Sequence, residues 1–173
     1  VAISLYDVSV ASFVQTLSGV AGFLEKGRAH CEATGASADD LVGFRLAEDM
    51  LPFSFQVVSV AHHTLGAIQG VKAGVFTPAG PTPEPGYSGL QKLIAEAQAG
   101  ITSLTPEEVN GLEGKDMVFK LGEMQMPFRA EDFLMSFSLP NLHFHATTAY
   151  DILRHKGVKL GKRDYLGPLR LKR

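Results

Sequence analysis

The stretch SLPNLHFHATTAYDILRHKG, residues 138–157, places three histidines, an asparagine and a proline within twenty positions. Imidazoles bind metals, carry protons or hold ligands, so spacing decides which of them work together. Positions i, i+4, i+7 and i+11 share one side of a helix. Leu134, Ser138, Asn141, His145, Thr148 and Ile152 form such a stripe, apolar at its ends and polar in its middle. Asn141 and His145 stand one turn apart, roughly 5–6 Å between Cβ atoms, and reach a common point. His143 is turned about 200° from either and points away. His155 lies ten residues beyond His145, roughly 15 Å along the axis and too far for a shared mononuclear site. His145 is therefore the best catalytic candidate, as a proton carrier near neutral pH, with Asn141 as its partner. Pro140 removes one backbone bond, frees the Ser136 carbonyl and bends the helix just below Asn141. That bend either widens the structure into a pocket or is simply tolerated.

A second polar stripe runs through DMLPFSFQVVSVAHHTLGAIQGV, where Asp49, Gln56 and His63 are spaced by seven. Gln56 sits among Phe55, Val57, Val58 and Val60 and needs hydrogen-bond partners if buried. His62 and His63 are adjacent, so at most one points inward, and burial statistics favour the surface for both. Asp49 either joins the polar face or pairs with Arg45 four residues earlier.

The elements that must position these residues are mostly helical. Tyr6, Val10, Phe13, Leu17, Val20 and Leu24 step by four and three, behind a capping-box pair, Ser4 and Asp7, with Gly35 as the stop. Ser37 caps a short turn. Phe53, Val57, Val60, Thr64, Ala67 and Val71 repeat the stripe, with Pro52 in the first turn. TPAGPTPEPG, residues 77–86, holds four prolines and reads as a stiff extended connection. A third helix opens at a Ser88–Gln91 capping box and buries Leu90, Leu93 or Ile94, Ala97, Ile101 and Leu104. TPEE caps another turn. From Met117 the period drops to two, through Phe119 and Leu121, Gly122-Glu123, then Met124, Met126 and Phe128, which predicts a hairpin. The fourth helix spans about 130–155 and Gly157 ends it. The fold class expected is an all-α antiparallel four-helix bundle with a small β-hairpin between helices three and four. Residues 1–157 form one domain on this reading, and 158–173 a basic C-terminal tail.

Composition narrows the function. At 173 residues, 45% apolar and 20% charged, the chain builds one ordinary core. It has no run of about 18 apolar residues, so no membrane span is expected. VAISLYDVSV lacks a basic region followed by an apolar run, so no secretory signal is expected there. The single cysteine, Cys31, fits a reducing cytoplasm. Net charge is −2, although residues 156–173 carry seven basic side chains against Asp164. The rest of the chain has no basic stripe, so no nucleic-acid partner is expected. FLMSF places apolar side chains on more than one side of the last helix, to be covered by the hairpin or by a second subunit, and a homodimer is expected. No phosphate-binding glycine loop, C-x-x-C, H-E-x-x-H or G-x-S-x-G occurs.

The bundle with a hairpin before its last helix resembles the DinB-like superfamily. RLAEDMLPFSFQV, LPNLHFHATTAYDILRHKGV and LGKRDYLG are similar to a DinB-like branch catalogued only as a domain of unknown function. The resemblance implies a metal site in some members, built from a helix-two histidine and H-x-x-x-H on helix four. His145, twelve residues before Gly157, matches the second of those histidines. Asn141 falls where the first should be, and the helix-two ligand maps near Gln56. Metal-binding relatives include thiol-dependent S-transferases and, more distantly, isomerases using a low-molecular-weight thiol. Zinc and nickel favour imidazole, thiolate or carboxylate, and amides are weak donors beside them. The expectation is therefore a small-molecule pocket around Gln56, Asn141, His145 and Asp49 with no tightly bound metal or other cofactor. Two alternatives stay open. One is a divalent metal such as zinc or nickel on His145 with Asp49 or His63. The other is a structural or interaction module.

Overall fold

The computed structural model describes residues 2–80 and 86–172. Ser4 and Asp7 make the reciprocal cap of α1 (Leu5–Val8): Asp7 N donates to Ser4 Oγ at 3.2 Å, and Ser4 N to Asp7 Oδ2 at 3.0 Å. A break at Ser9 leads into α2 (Val10–Thr34), which Gly35 ends in the left-handed region, φ +70°. The stripe Val10, Phe13, Leu17, Val20 and Leu24 is buried throughout. By length and composition the run Leu5–Thr34 could cross a bilayer, contrary to the expectation that no segment could. Half of its most apolar window is instead buried against the rest of the fold.

After α3 (Asp39–Val42) comes a loop, then α4 (Phe53–Ala61), a π-helical segment (His62–Gly66) and α5 (Ala67–Ala73). The apolar stripe does not reveal the π segment, because one wide turn barely disturbs it. Pro52 stands one position earlier than expected, at the N-cap. The proline-rich connection lies partly outside the described residues, at 81–85; Thr77–Gly80 are non-helical.

Helix α6 (Gly86–Thr102) corrects the expected capping box, since Ser88 is already inside it. Its first turn is held by another element: Asp39 Oδ1 accepts from Tyr87 N at 2.6 Å. The buried face is Leu90, Ile94, Ala97 and Ile101. Thr105 and Glu108 cap α7 (Pro106–Asn110) reciprocally.

Three strands form a small mixed sheet in the order β1 (Val75–Phe76), β2 (Asp116–Leu121), β3 (Met124–Arg129). β2 and β3 pair antiparallel around Gly122 (φ +56°), with Leu121 opposite Met124 and Val118 opposite Pro127. β1 runs parallel to β2, and Val118 N donates to Gly74 O at 3.0 Å. No period-two signal marks a two-residue strand, so β1 was not expected. The sheet covers Phe133 and Phe137: Phe119 lies 4.8 Å from Phe137 and Phe76 5.0 Å from Phe133, ring to ring. Of the apolar residues that prompted the expectation of a dimer, Phe133 and Leu134 are buried within the chain, Phe137 is partly buried and Met135 is exposed.

The last long run is α8 (Ala130–Asp132), a second π segment (Phe133–Ser138) and α9 (Leu139–His155). The π segment absorbs Pro140, which stands in the first turn of α9 where its missing N–H costs little. α2 packs on α6 and α9, and α4 packs on the same two helices. The expected boundary at 157 is not where packing ends. Val158 and Leu160 are buried, α10 (Lys162–Leu166) lies against α2, and Gln15 Nε2 donates to Leu166 O at 2.9 Å.

Candidate functional site

The site forms where α4 and the first π segment meet α9. Gln56 is buried, at 2% exposure, and bonded at both ends. Its Nε2 donates to Leu51 O at 2.9 Å and its Oε1 faces His145 Nδ1 at 2.8 Å. A carbonyl only accepts, so the Leu51 contact fixes which end of the amide is oxygen. That oxygen in turn requires the hydrogen of His145 to sit on Nδ1.

His63 is fixed by the same logic. Ser138 Oγ donates to the His63 carbonyl at 2.9 Å, which joins the two π segments. Its one hydrogen being engaged, the hydroxyl must accept from His63 Nδ1, 3.3 Å away. Both imidazoles therefore carry hydrogen on Nδ1 and an open lone pair on Nε2. Among the described residues no buried polar side-chain atom lacks a partner, so neither Nε2 is sealed off, and both rings line one cavity. The two rings lie 5.9 Å apart and within 13° of parallel.

Burial drives both imidazoles neutral. Desolvation, helped by His62 and His145, pushes His63 down to about 3; desolvation pushes His145 down to about 4. Burial thus works against the expected proton carrier near neutral pH, favouring uncharged acceptor rings there. The cavity above them holds about 170 Å³ and is lined by Phe55, Phe76, Phe119, Phe137, Asn141 and neighbours, with no charged side chain among the described residues.

Asn141 lines the pocket beside His145, and its Nδ2 donates to Phe137 O at 2.7 Å, on the turn before Pro140. Asp49 is corrected: it lies exposed in the loop before α4, outside the pocket, and Arg45 donates to Met50 O. His63 is corrected the other way, being 7% exposed beneath Phe76 and Phe137. Its spacing of seven from Gln56 was the signal, overruled by burial statistics. Ser138, on the same stripe as His145, was the other available signal; the aromatic wall from β1 and β2 left none. His143 faces outward toward Tyr165, and His155 stacks on Phe44. Cys31 is buried far from these groups in α2, its thiol pushed up by desolvation.

As a metal site the donors fall short. His62, His63 and His145 line the pocket, but His62 Nε2 is bonded to Thr77 O, and among the described residues no three of His, Cys, Asp or Glu are placed to hold one metal ion. A tightly held zinc or nickel does not fit this set.

The fold, mostly helical with a small mixed sheet, is DinB-like. The chain belongs to the family described as Domain of unknown function (DUF1993), which matches residues 5–166. It is similar to the crystal structure of a DinB family member protein from Shewanella denitrificans, at TM-score 0.82 and 26% identity, covering 98% of this chain and 95% of that one. No curated protein matches significantly.

Proposed function

We propose that this protein binds a small, uncharged, planar molecule bearing a hydrogen-bond donor, in the pocket over His63 and His145. The observation that carries this is the pair of parallel imidazoles, each presenting an unprotonated Nε2 to an aromatic cavity without charged walls. Aromatic faces favour a flat ligand, and two acceptors favour a ligand that donates. The pocket is read as lying within an antiparallel DinB-type bundle, with β2 and β3 as its hairpin. Reaction chemistry is secondary here, because an imidazole held near 4 is a weak base.

The test is a titration with 2-naphthol, a neutral planar donor whose fluorescence is uncontaminated because the chain has no tryptophan. Binding is expected, with His63→Ala and His145→Ala each weakening it about tenfold, near 1.4 kcal/mol. Equal affinity in both variants would remove the reading.

One observation favours the second reading, a metal-dependent transferase or isomerase using a low-molecular-weight thiol. Histidines with Nδ1–H held by an acceptor and Nε2 open are in the form that ligates metals. Metal analysis of untagged protein separates the two: far less than one zinc or nickel per chain supports the pocket, and a stoichiometric metal lost in His145→Ala supports the transferase.

A further inference from the structure

We propose that the pocket over His63 and His145 is one compartment of a two-compartment site, divided by the His62 imidazole from a second cavity between α4 and α6. The complete site takes a planar donor carrying an aliphatic arm that ends in an amine. This rests on the pocket reading above and extends it to the length and the far end of the ligand.

The two cavities share their walls. His62 and Ala79 line both. The second holds about 250 Å³ and is walled by Val58, Ala61, Leu65, Leu93 and Ala97, which suits an aliphatic chain. Separately, each cavity is smaller than a typical small-molecule site. Together they reach about 420 Å³, inside the roughly 300–1,000 Å³ such sites occupy. Their polarity is also unequal. Glu96, exposed in the second cavity beside Gln69, is the one charged side chain among the described residues lining either. A cationic arm end therefore has a partner there and none in the first compartment.

His62 is seated as a removable partition. Its ring stacks on Phe76, centroids 4.3 Å apart, and its Nε2 donates to Thr77 O at 2.7 Å. Gly66 makes the seat: a Cβ at that position would stand 2.9 Å from His62 Nδ1. The ring is held by one hydrogen bond to a backbone carbonyl and by stacking, with its other nitrogen against a glycine. Turning it about its side-chain bonds joins the compartments without moving a helix.

The experiment compares 2-naphthol with 7-(4-aminobutoxy)-2-naphthol, the same planar donor with an arm, by naphthalene fluorescence. Wild type is expected to bind the armed probe more tightly. His62→Ala should raise the affinity of the armed probe relative to 2-naphthol about tenfold. His62→Phe keeps the bulk and the stack, and should show no such gain. Glu96→Gln, at an exposed position, should weaken only the armed probe. If His62→Ala and Glu96→Gln leave the ratio of the two affinities unchanged, the two-compartment site falls and the first pocket stands. If neither probe binds wild type, the underlying reading falls as well. Should His62→Ala fail to fold by circular dichroism, Glu96→Gln and a crystal structure of the armed complex decide. Density for the arm between Leu65 and Leu93 supports the proposal, and an arm in solvent overturns it.

Discussion

Gln56 Oε1 accepts a hydrogen bond from His145 Nδ1 at 2.8 Å across the contact between α4 and α9, and Gln56 Nε2 is bonded to Leu51 O. Each end of the amide thereby ties the pocket to a different part of the fold. Gln56→Leu should leave His145 Nδ1 and the Leu51 carbonyl unpaired and cost about 1–3 kcal/mol in urea unfolding. Gln56→Glu should instead place a carboxylate beside the ring and raise the His145 pKa, read by NMR titration. An unshifted titration would mean that the two side chains do not meet in solution.

Stability should fall in mild acid. His63 and His145 titrate near 3 and 4 when folded, against 6.5 for an ordinary histidine. Between those values the unfolded chain binds protons that the folded chain refuses, so the unfolded state gains as pH drops. Above about pH 6.5 neither group contributes a slope. Below it each contributes up to about 1.4 kcal/mol per pH unit, until the folded pKa is reached. Denaturation series at pH 7 and pH 5 should show the loss, and His63→Phe should flatten it.

Gly27 is the close approach between α2 and α6. A Cβ there would overlap the Tyr87 hydroxyl and stand 3.3 Å from Leu153 Cδ2. Tyr87 is buried and donates to Leu24 O at 2.8 Å, the one hydrogen bond its hydroxyl makes in the described structure. Gly27→Ala should cost about 1–3 kcal/mol through overpacking, and Tyr87→Phe about 1 kcal/mol through the lost bond. A Gly27→Ala melting temperature equal to wild type would contradict this packing.

The C-terminal segment should divide in two on truncation. Val158 and Leu160 are buried, and Lys26 Nζ meets Asp164 Oδ1 at 2.6 Å, while Leu169 and Leu171 are exposed. Removing residues 158–173 should lower the melting temperature strongly, and removing 168–173 should leave it within a degree or two. Salt-dependent DNA binding lost with the shorter deletion would instead mark the basic end as a nucleic-acid arm.

Much of the fold was legible because apolar spacing follows directly from which faces are buried. The stripe from Val10 to Leu24 and the alternation from Met117 to Phe128 both carry that mark. The π segments were not legible, since a single wide turn changes hydrogen bonding more than side-chain periodicity. The cap of α6 was misread because Asp39 reaches it from another element, and no local window contains both residues. At the site, the stripes put Gln56 and His145 each on the polar face of its own helix, and the family resemblance brought the two together, as they meet in the fold. His63 was underrated because its cover comes from Phe76, on a strand too short to announce itself.

Pro127 limits what the outer margin of β3 can offer an incoming strand. Val118 directs its N–H toward Gly74 O on the β1 side, so its partner Pro127 directs its backbone outward along the free margin of β3. A proline has no N–H to offer there. An incoming strand seeking to extend the sheet would meet a gap midway along a margin only six residues long. With Leu121 and Met124 exposed at the turn, that margin would otherwise invite stacking into larger aggregates. The proline removes one donor from that margin, between those of Gln125 and Arg129, and replacing it with valine would supply it.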